Sequence, residues 1–470
     1  MNRVAQVRQY LTQNGMDSHT SALYSEEAFA MTLPLDSAKN PLWTNGKRNI
    51  LTEGLAATYM FNSFALYDTG GIFLGKHCYN RNICAVNFFD TSKYQDANVF
   101  VIAATGSGKT FMLQTLATRF RYDGKQVFII APKKGEEYER CCTAVGGTFL
   151  KISPDSSVRL NIMDIYDFDT AHERELRGDA VFDNTSKLAA KIQNLISSLS
   201  LLIPDLSLVE EEYLNEALYE AYEAHGITKD NRSLYDEHGQ RKTMPLISEV
   251  IPYYRAIAPE GSHEQQRVSA ILRTFTRGDL TIFNEQTNVK LDNPYIVFDI
   301  SANRERYIPF AAGISLDFMM QKSRSDRTAE KVAFIDEDWS VCGPQASKQS
   351  SDLVLELCKT GRAWGLSSWF ITQDLKDNGE YAERLINNCQ FKLIGATRNR
   401  TSLDAIQHTL ELTDKEVALI ASLNRGQFLL STKSTRIPVD VVASDALAKL
   451  ITTDHNELKK QISSAQTGGN

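Results

Sequence analysis

Residues 98–120 are NVFVIAATGSGKTFMLQTLATRF, and this stretch decides the fold. An apolar run is followed by a turn rich in glycine and then by a run whose apolar residues have helical spacing, which is the order strand, loop, helix. Within it, residues 103–110 fit the phosphate-binding P-loop pattern, with alanine in place of the first glycine. The sequence therefore predicts a nucleotide site at the end of a buried strand.

A phosphate site requires a backbone that curls around phosphate oxygens and points N–H groups at them. Gly106 and Gly108 permit the backbone angles and the close approach that a Cβ would oppose, and the following helix adds the positive end of its dipole. We expect Lys109 to bridge the β- and γ-phosphates of ATP and the Thr110 hydroxyl to ligate Mg²⁺. The alternative, a surface turn with a chance lysine, does not explain the flanking strand and helix. The full set of predicted nucleotide contacts is Ala104, Thr105, Gly106, Ser107, Gly108, Lys109, Thr110 and Phe111.

Short apolar runs typical of strands continue along the chain, separated by helical runs. This alternation predicts an α/β fold with a mainly parallel and buried central sheet. The alternation of strands and helices is interrupted between residues 164 and 288. Apolar residues recur there three and four positions apart, which indicates an all-α insertion. The predicted strands are 98–104, 126–132, 147–153, 295–301, 331–336, 367–372, 391–397 and 426–432.

Four parts follow from this pattern. The ATPase domain is split by the all-α insertion, and it is preceded by a helical lead-in. It begins with a β-hairpin, because two β-rich runs flank a polar turn. The predicted boundaries are 1–60 for the lead-in, 61–163 and 289–445 for the ATPase domain with the hairpin at 70–89, 164–288 for the insertion, and 446–470 for a C-terminal helix and disordered tail.

Composition limits the class of protein. The formal net charge of −7 gives no basic footprint for strong non-specific nucleic-acid binding, although Arg398 and Arg400 could form a local basic surface. The seven cysteines are scattered without metal-ligand spacing, which is typical of reduced thiols. No run approaches the roughly 18 to 20 apolar residues that span a bilayer, and the first residues lack the apolar core of a signal peptide. We therefore expect a cytoplasmic protein whose membrane contact is peripheral.

The strand KVAFID, residues 331–336, ends in a cluster of acids. Asp336 and Glu337 point to opposite faces because strand residues alternate, so they cannot do the same work. We expect Asp336 to contact Mg²⁺ and Glu337 to polarise the attacking water. Asp338 is expected to be solvated or structural. The alternative is an ordinary acidic loop, which the upstream P-loop disfavours.

Three further polar residues are candidates for catalysis. Gln373 follows the strand SSWFIT, and its amide could bond both a γ-phosphate oxygen and water, as a sensor would. The alternative for it is a surface glutamine. An arginine from a neighbouring subunit often completes the charge on a transferring phosphoryl group. Arg362 is the first candidate for this role and Arg425 the second, against the alternative that each is simply solvated.

These segments resemble the large cytoplasmic ATPase of conjugative type IV secretion systems, the VirB-four family. The resemblance covers roughly residues 48 to 445. In the insertion, it lies in the type of residue more than in residue identity. It is carried by NILTEGLAATYMFNS (49–63), YDTGGIFLG (67–75), the P-loop region, the two strands within 126–165, FIDEDW (334–339) and TGRAWGLSSWFITQD (360–374). Asp338 departs from the family pattern, which usually has alanine there.

The resemblance implies a RecA-like domain with an all-α domain, and ATP hydrolysis that energises type IV secretion or conjugative transfer by substrate translocation or machine assembly. It also implies homo-oligomers, commonly hexamers, because the nucleotide lies between subunits. The implied partners are inner-membrane components of the secretion channel, a coupling protein, and a DNA or protein substrate. The implied location is the inner face of the cell membrane. Family members are usually far longer, so the chain is similar to the C-terminal ATPase portion of a longer protein or to a naturally shortened member.

Two other functions remain open at this point. A DNA-translocating motor of the FtsK, HerA or coupling-protein type shares the core and the insertion, and the acidic balance of the chain disfavours it. A nucleotide switch that does not hydrolyse ATP is disfavoured by the presence of Lys109, Thr110, Asp336 and Glu337 together.

Overall fold

The computed structural model describes residues 3–20, 22–33, 40–42, 51–52, 55, 65–166, 186–203, 205–344, 346, 348–433 and 435–467. The chain divides into two compact units, Met1–Phe64 and Ala65–Asn470. Within the first unit the described residues form helices α1 (Arg3–Gln13) and α2 (Ser25–Met31). The family-like segment 49–63 lies outside the described residues except for positions 51, 52 and 55.

The second unit is built on one eleven-stranded sheet, with the spatial order β2-β1-β11-β10-β9-β3-β8-β7-β4-β6-β5. Seven neighbouring strands, from β9 to β5, are parallel, and the other four extend the β9 edge antiparallel. The predicted α/β fold with a mainly parallel sheet is confirmed. The strands are β1 (Ile72–His77), β2 (Ile83–Val86), β3 (Val99–Ile102), β4 (Gln126–Ala131), β5 (Thr148–Lys151), β6 (Tyr295–Asp299), β7 (Lys331–Asp336), β8 (Leu366–Thr372), β9 (Phe391–Gly395), β10 (Gln427–Ser431) and β11 (Arg436–Asp440).

Strand β11 was not predicted from the sequence. Its five residues include Pro438 and are charged at both ends, so no apolar run marks it. It pairs antiparallel with β10 on one side and with β1 on the other. The predicted hairpin region forms β1 and β2, and β11 therefore joins that hairpin to the main sheet.

Helices cover both faces of the sheet. Strand residues alternate between the two cores: Phe100 and Ile102 of β3 belong to one, and Val99 and Val101 to the other. The helices of the second unit are α3 (Lys109–Tyr122), α4 (Glu139–Ala144), α5 (Lys187–Ser200), α6 (Leu208–Ala224), α7 (Ile247–Ile257), α8 (His263–Leu272), α9 (Ile308–Arg324), α10 (Lys348–Thr360), α11 (Leu375–Asn378), α12 (Glu380–Asn387), α13 (Arg400–Leu410), α14 (Asp414–Ser422), α15 (Asp445–Ile451) and α16 (His455–Thr467).

The predicted insertion contains helices α5 to α8. Serine caps start three of them, and Ser207 forms a reciprocal capping box with Glu210 at the start of α6. The described residues of this segment add no strand to the main sheet. Its apolar residues, such as Leu195 and Leu218, share one continuous core with Phe100 of β3. The segment thus packs directly on the sheet, and its division into a separate domain stays a prediction.

Parallel strands bring their carboxyl ends to one edge of the sheet, and this edge is where the candidate residues meet. The P-loop follows β3, Gln373 follows β8, and Asp336 ends β7. These three strands are neighbours in the order β3-β8-β7. Ligands of open parallel sheets bind in the crevice outside such carboxyl ends.

Candidate nucleotide-binding and hydrolysis site

The P-loop has the backbone that a phosphate cradle needs. Gly106 has φ 81° and Gly108 has φ 95°, a left-handed region that residues with a side chain rarely adopt. Gly108 is also the N-cap of α3, and Lys109 is its first residue. A Cβ on Gly108 would lie 2.8 Å from the Gly426 nitrogen, so only glycine fits there. The Gly426 N–H donates to the Ser107 carbonyl oxygen at 2.8 Å, so the turn before β10 braces the P-loop from outside.

The residues of the loop fit a triphosphate group. The Ser107 side chain is buried, and its hydroxyl has no hydrogen-bond partner within the described chain, as expected where a ligand completes the site. The predicted contacts surround the start of α3, where the helix N-terminus favours an anion. Thr105 and Gly106 are exposed, Ser107 and Lys109 are buried, and Ala104, Gly108, Thr110 and Phe111 are half-buried.

A buried ion pair occupies the centre of the site. Lys109 Nζ lies 2.9 Å from Glu337 Oε1, and the two side chains are only 8% and 6% exposed. The other carboxylate oxygen, Oε2, accepts a hydrogen bond from Trp339 Nε1 at 2.9 Å. Burial by itself would raise the pKa of the Glu337 carboxyl. The Lys109 charge and the hydrogen bonds outweigh it and hold this pKa below its usual range.

Gln373 links the P-loop to the same carboxylate. The Thr105 hydroxyl donates to the Gln373 side-chain oxygen, and the Gln373 amide donates to Glu337 Oε1. The residue is half-buried and engaged on both ends of its amide, so it is not a free surface glutamine. A side chain that touches both the P-loop and Glu337 is placed to detect a phosphate group between them.

Asp336 has hydrogen-bond partners different from those of Glu337. Its side chain is 4% exposed, and its Oδ2 accepts a hydrogen bond from the Tyr138 hydroxyl at 2.6 Å. Burial raises the pKa of the Asp336 carboxyl, while Lys109 and Tyr138 act against the rise. Carboxylate and hydroxyl oxygens are the ligands that Mg²⁺ prefers. A carboxylate buried in this way fits the expectation that a cation completes its surroundings.

The structure separates the two candidate arginines. Arg362 lies in the turn Gly361–Trp364 before β8, at the amino edge of the sheet, which is opposite the P-loop of the same chain. It is exposed, and its guanidinium donates to the Gln95 carbonyl oxygen. Arg425 instead lies beside its own P-loop, with its Cγ 3.5 Å from where a Gly108 Cβ would be. Its guanidinium pairs with Asp454 at 3.2 Å.

Three features of the site were missed or misjudged from the sequence. Asp338 is fully buried, so the expectation that it could be solvated is wrong. Burial raises the pKa of Asp338 to about 7, with the Asn378 side chain acting in the other direction. Tyr138 and Trp339 were not predicted because they reach the acids through folding. For Trp339, its place two residues after Glu337 was the available signal.

The described residues contain no helix long and apolar enough to cross a membrane. No curated protein sequence matches the chain. A family model, the TraG P-loop domain, matches residues 260–444, which include Asp336, Glu337 and Gln373.

Solved structures resemble the chain more extensively. The structure of VirB4 of Thermoanaerobacter pseudethanolicus is 25% identical in sequence, with a TM-score of 0.68 over 82% of this chain and 100% of that chain. The conjugative coupling protein TrwB in an unbound form is 14% identical, with a TM-score of 0.46 over 73% of this chain and 84% of that chain. TrwB in complex with ADP and Mg²⁺ is 13% identical, with a TM-score of 0.47 over 73% and 85%.

The family match and the likeness to VirB4 agree with the resemblance seen in the sequence. The family match covers the strands that carry the acidic pair and Gln373. The chain is a P-loop ATPase that is similar in sequence and fold to VirB4 and to the TraG P-loop domain family.

Proposed function

We propose that this chain hydrolyses ATP to energise type IV secretion or conjugative transfer, by moving a substrate or by assembling the secretion machine. The observation that carries the proposal is the connected cluster of Lys109, Glu337 and Gln373 at the carboxyl edge of three adjacent parallel strands. The same chain has the fold of VirB4. A lysine, a carboxylate and an amide that converge beside a P-loop suit phosphoryl transfer to water.

Each side chain has a separate part in this reaction. Lys109 binds the β- and γ-phosphates. Thr110 and Asp336 would hold Mg²⁺, which would neutralise charge on the phosphate oxygens. Glu337 accepts a proton from the attacking water as a general base. Gln373 contacts the γ-phosphate and signals its presence to the P-loop through Thr105.

The contact between Lys109 and Glu337 gives the site an order of events. Without nucleotide, the lysine neutralises the very carboxylate that has to activate water. A triphosphate competes for the lysine, and the carboxylate is then released as a base. Glu337 is therefore available for proton transfer only when the site is filled.

Steady-state phosphate release, measured with and without DNA, tests the function. Lys109→Ala should abolish nucleotide binding or turnover, because the charge on the β- and γ-phosphates is then uncompensated. Glu330→Gln is a matched control, since Glu330 lies beside the other end of β7 and pairs with Lys125. Turnover of Lys109→Ala at the wild-type rate would contradict the assignment of the site.

The DNA arm of this assay separates the main proposal from its alternative. A DNA-translocating motor should hydrolyse ATP faster when DNA is added, and the effect should weaken at high salt. The exposed Arg398 and Arg400 lie just after β9 at the same edge of the sheet as the P-loop, so their replacement by alanine should remove any such effect. If DNA leaves the turnover rate unchanged, the result supports an energising ATPase that does not translocate along DNA.

The proposal includes partners and a location. We place the chain in the cytoplasm at the inner face of the membrane, with peripheral contact, as a homo-oligomer, commonly a hexamer. Its partners are inner-membrane components of the secretion channel and a coupling protein, with DNA or protein as the transported substrate. Sedimentation with membranes from cells that contain or lack the channel tests this location. Equal sedimentation in both would contradict it.

A further inference from the structure

Glu337 has three hydrogen-bond donors, and two of them are also expected to bind nucleotide. Lys109 and Gln373 both donate to Oε1. The third donor, Trp339, is alone on Oε2 at 2.9 Å. When a triphosphate takes over Lys109 and Gln373, the indole N–H remains to orient the carboxylate.

Within the described part of the chain, the indole N–H of Trp339 donates only to Glu337. An indole N–H can donate a hydrogen bond but cannot accept one. It therefore remains a hydrogen-bond donor when phosphate binds. The residue follows Glu337 by two positions in the turn Asp338–Ser340. Lys133, from the loop after β4, lies 5.7 Å from the centre of its ring on one side. The ring is therefore held by contacts outside the phosphate cradle.

The backbone around this turn fixes the indole relative to the carboxylate. Glu337 itself has φ 49° and ψ 51°, a left-handed conformation that is rare for a residue with a side chain and that often marks functional sites. The Glu337 carbonyl accepts from the backbone and side chain of Ser340. Gly343 packs closely behind, because a Cβ there would lie 2.7 Å from the Trp339 carbonyl oxygen and 2.8 Å from that of Asp377.

We propose that Trp339 is a positioning residue for hydrolysis: it holds one oxygen of Glu337 so that the other faces the attacking water once Lys109 and Gln373 have moved to the nucleotide. This inference rests on the proposed function, in which Glu337 is the general base. It goes further by assigning a task to a residue outside the predicted nucleotide contacts.

A double-mutant cycle tests the proposal. Trp339→Phe keeps most of the ring but removes the N–H. We expect kcat for ATP to fall about 10- to 100-fold, the scale of a misplaced catalytic group, with KM changed less than about twofold. In a Glu337→Gln background the same substitution should change the residual rate less than about twofold, because the group it positions is already gone.

The matched control is Trp369→Phe. Trp369 is a buried residue of β8 whose indole N–H donates to Ser367 at 3.1 Å, away from Glu337. It should lower thermal stability at least as much as Trp339→Phe and leave kcat unchanged. Wild-type kcat in Trp339→Phe, or an equal fold-loss in both backgrounds, would overturn the positioning role. Wild-type activity of Glu337→Gln alone would instead overturn the proposed function.

A second measurement uses the wild-type chain in case Trp339→Phe does not fold. With tryptophan labelled by ¹⁵N, one indole signal should shift in Glu337→Gln, and this identifies Trp339. When a non-hydrolysable ATP analogue binds, the indole proton should stay protected from exchange with solvent, as expected for a hydrogen bond that is kept. Rapid exchange of this proton on binding would show that the indole leaves the carboxylate, and would overturn the proposal.

Discussion

At the scale of the residue, the buried contact between Lys109 and Glu337 determines how nucleotide enters. Both side chains are almost fully buried, so water cannot replace the ion pair as a partner of either charge. Breaking such a pair leaves a buried charge without compensation, which is strongly unfavourable unless a new partner is supplied. A triphosphate supplies one to the lysine, and Trp339 retains the carboxylate.

Removing the carboxylate should therefore strengthen nucleotide binding. In Glu337→Gln, Lys109 loses its competitor, and we expect ATP and ADP to bind about three- to tenfold more tightly, or roughly 1 kcal/mol. Equilibrium titration with a fluorescent nucleotide measures this directly, with Glu330→Gln as the control at the other end of the strand. Weaker binding by Glu337→Gln would show that the pair does not compete with nucleotide.

Asp338 should destabilise the chain above neutral pH. Its folded-state pKa is raised by burial to about 7, so the folded protein binds a proton that the unfolded chain releases from about pH 4 upward. Stability is then lost as the pH rises between those values. Asp338→Ala, without nucleotide or metal, should raise the free energy of unfolding at pH 8 by roughly 1 to 4 kcal/mol, and by little at pH 4. A gain in thermal stability that is equal at both pH values would contradict this origin.

At the scale of the element, the P-loop is supported by a second turn. Gly426 donates a backbone hydrogen bond to Ser107, and its nitrogen fills the space where a Cβ of Gly108 would be. Gly106 has a similar backbone angle, but a Cβ there would meet nothing within 4 Å. The two glycines therefore differ in packing and share the need for a left-handed backbone.

This difference predicts unequal effects in the protein without nucleotide. Gly106→Ala should lower stability by about 1 kcal/mol, from the unfavourable backbone angle alone. Gly108→Ala should lower stability by about 2 kcal/mol or more, because the added Cβ clashes with backbone atoms that cannot easily move. Thermal or urea unfolding compares the two variants. An equal loss would mean that the turn at Gly426 does not brace the P-loop.

The sequence predicted the elements that depend on local pattern. Eight buried strands and the glycine-rich loop carry their own apolar or glycine signals, and each appears within two residues of its expected bounds. Strand β11 escaped because it is short, contains Pro438 and is defined by its two partners. Tyr138 and Trp339 were not predicted as site residues for a related reason. Their roles depend on contacts that only the folded chain creates.

At the scale of the whole molecule, the two candidate arginines lie at opposite edges of the sheet. Arg362 is exposed at the edge of the sheet that lies opposite its own P-loop, so the nucleotide it could reach is a neighbour's. Arg425 lies beside its own P-loop, so a role for it is expected within one chain. We therefore keep Arg362 as the proposed finger in trans and reassign Arg425 to contact in cis.

Mixing experiments distinguish the two arginines. Arg362→Ala should bind ATP normally and lower turnover by roughly 10³-fold, as expected for a lost finger. Mixed with Glu337→Gln subunits, it should regain some hydrolysis at hybrid interfaces, whereas Arg425→Ala should regain none. Activity per subunit should also rise with protein concentration. Independence of concentration together with a silent Arg362→Ala would exclude the trans arrangement for this residue.

The central claim is that Glu337, released from Lys109 by nucleotide, activates the water that attacks ATP. A single-turnover measurement of ATP cleavage tests it, with ATP bound to saturation so that differences in affinity do not contribute. Glu337→Gln should retain bound ATP and cleave it at least about 100-fold more slowly than the wild-type chain. Cleavage at the wild-type rate by Glu337→Gln would contradict the account.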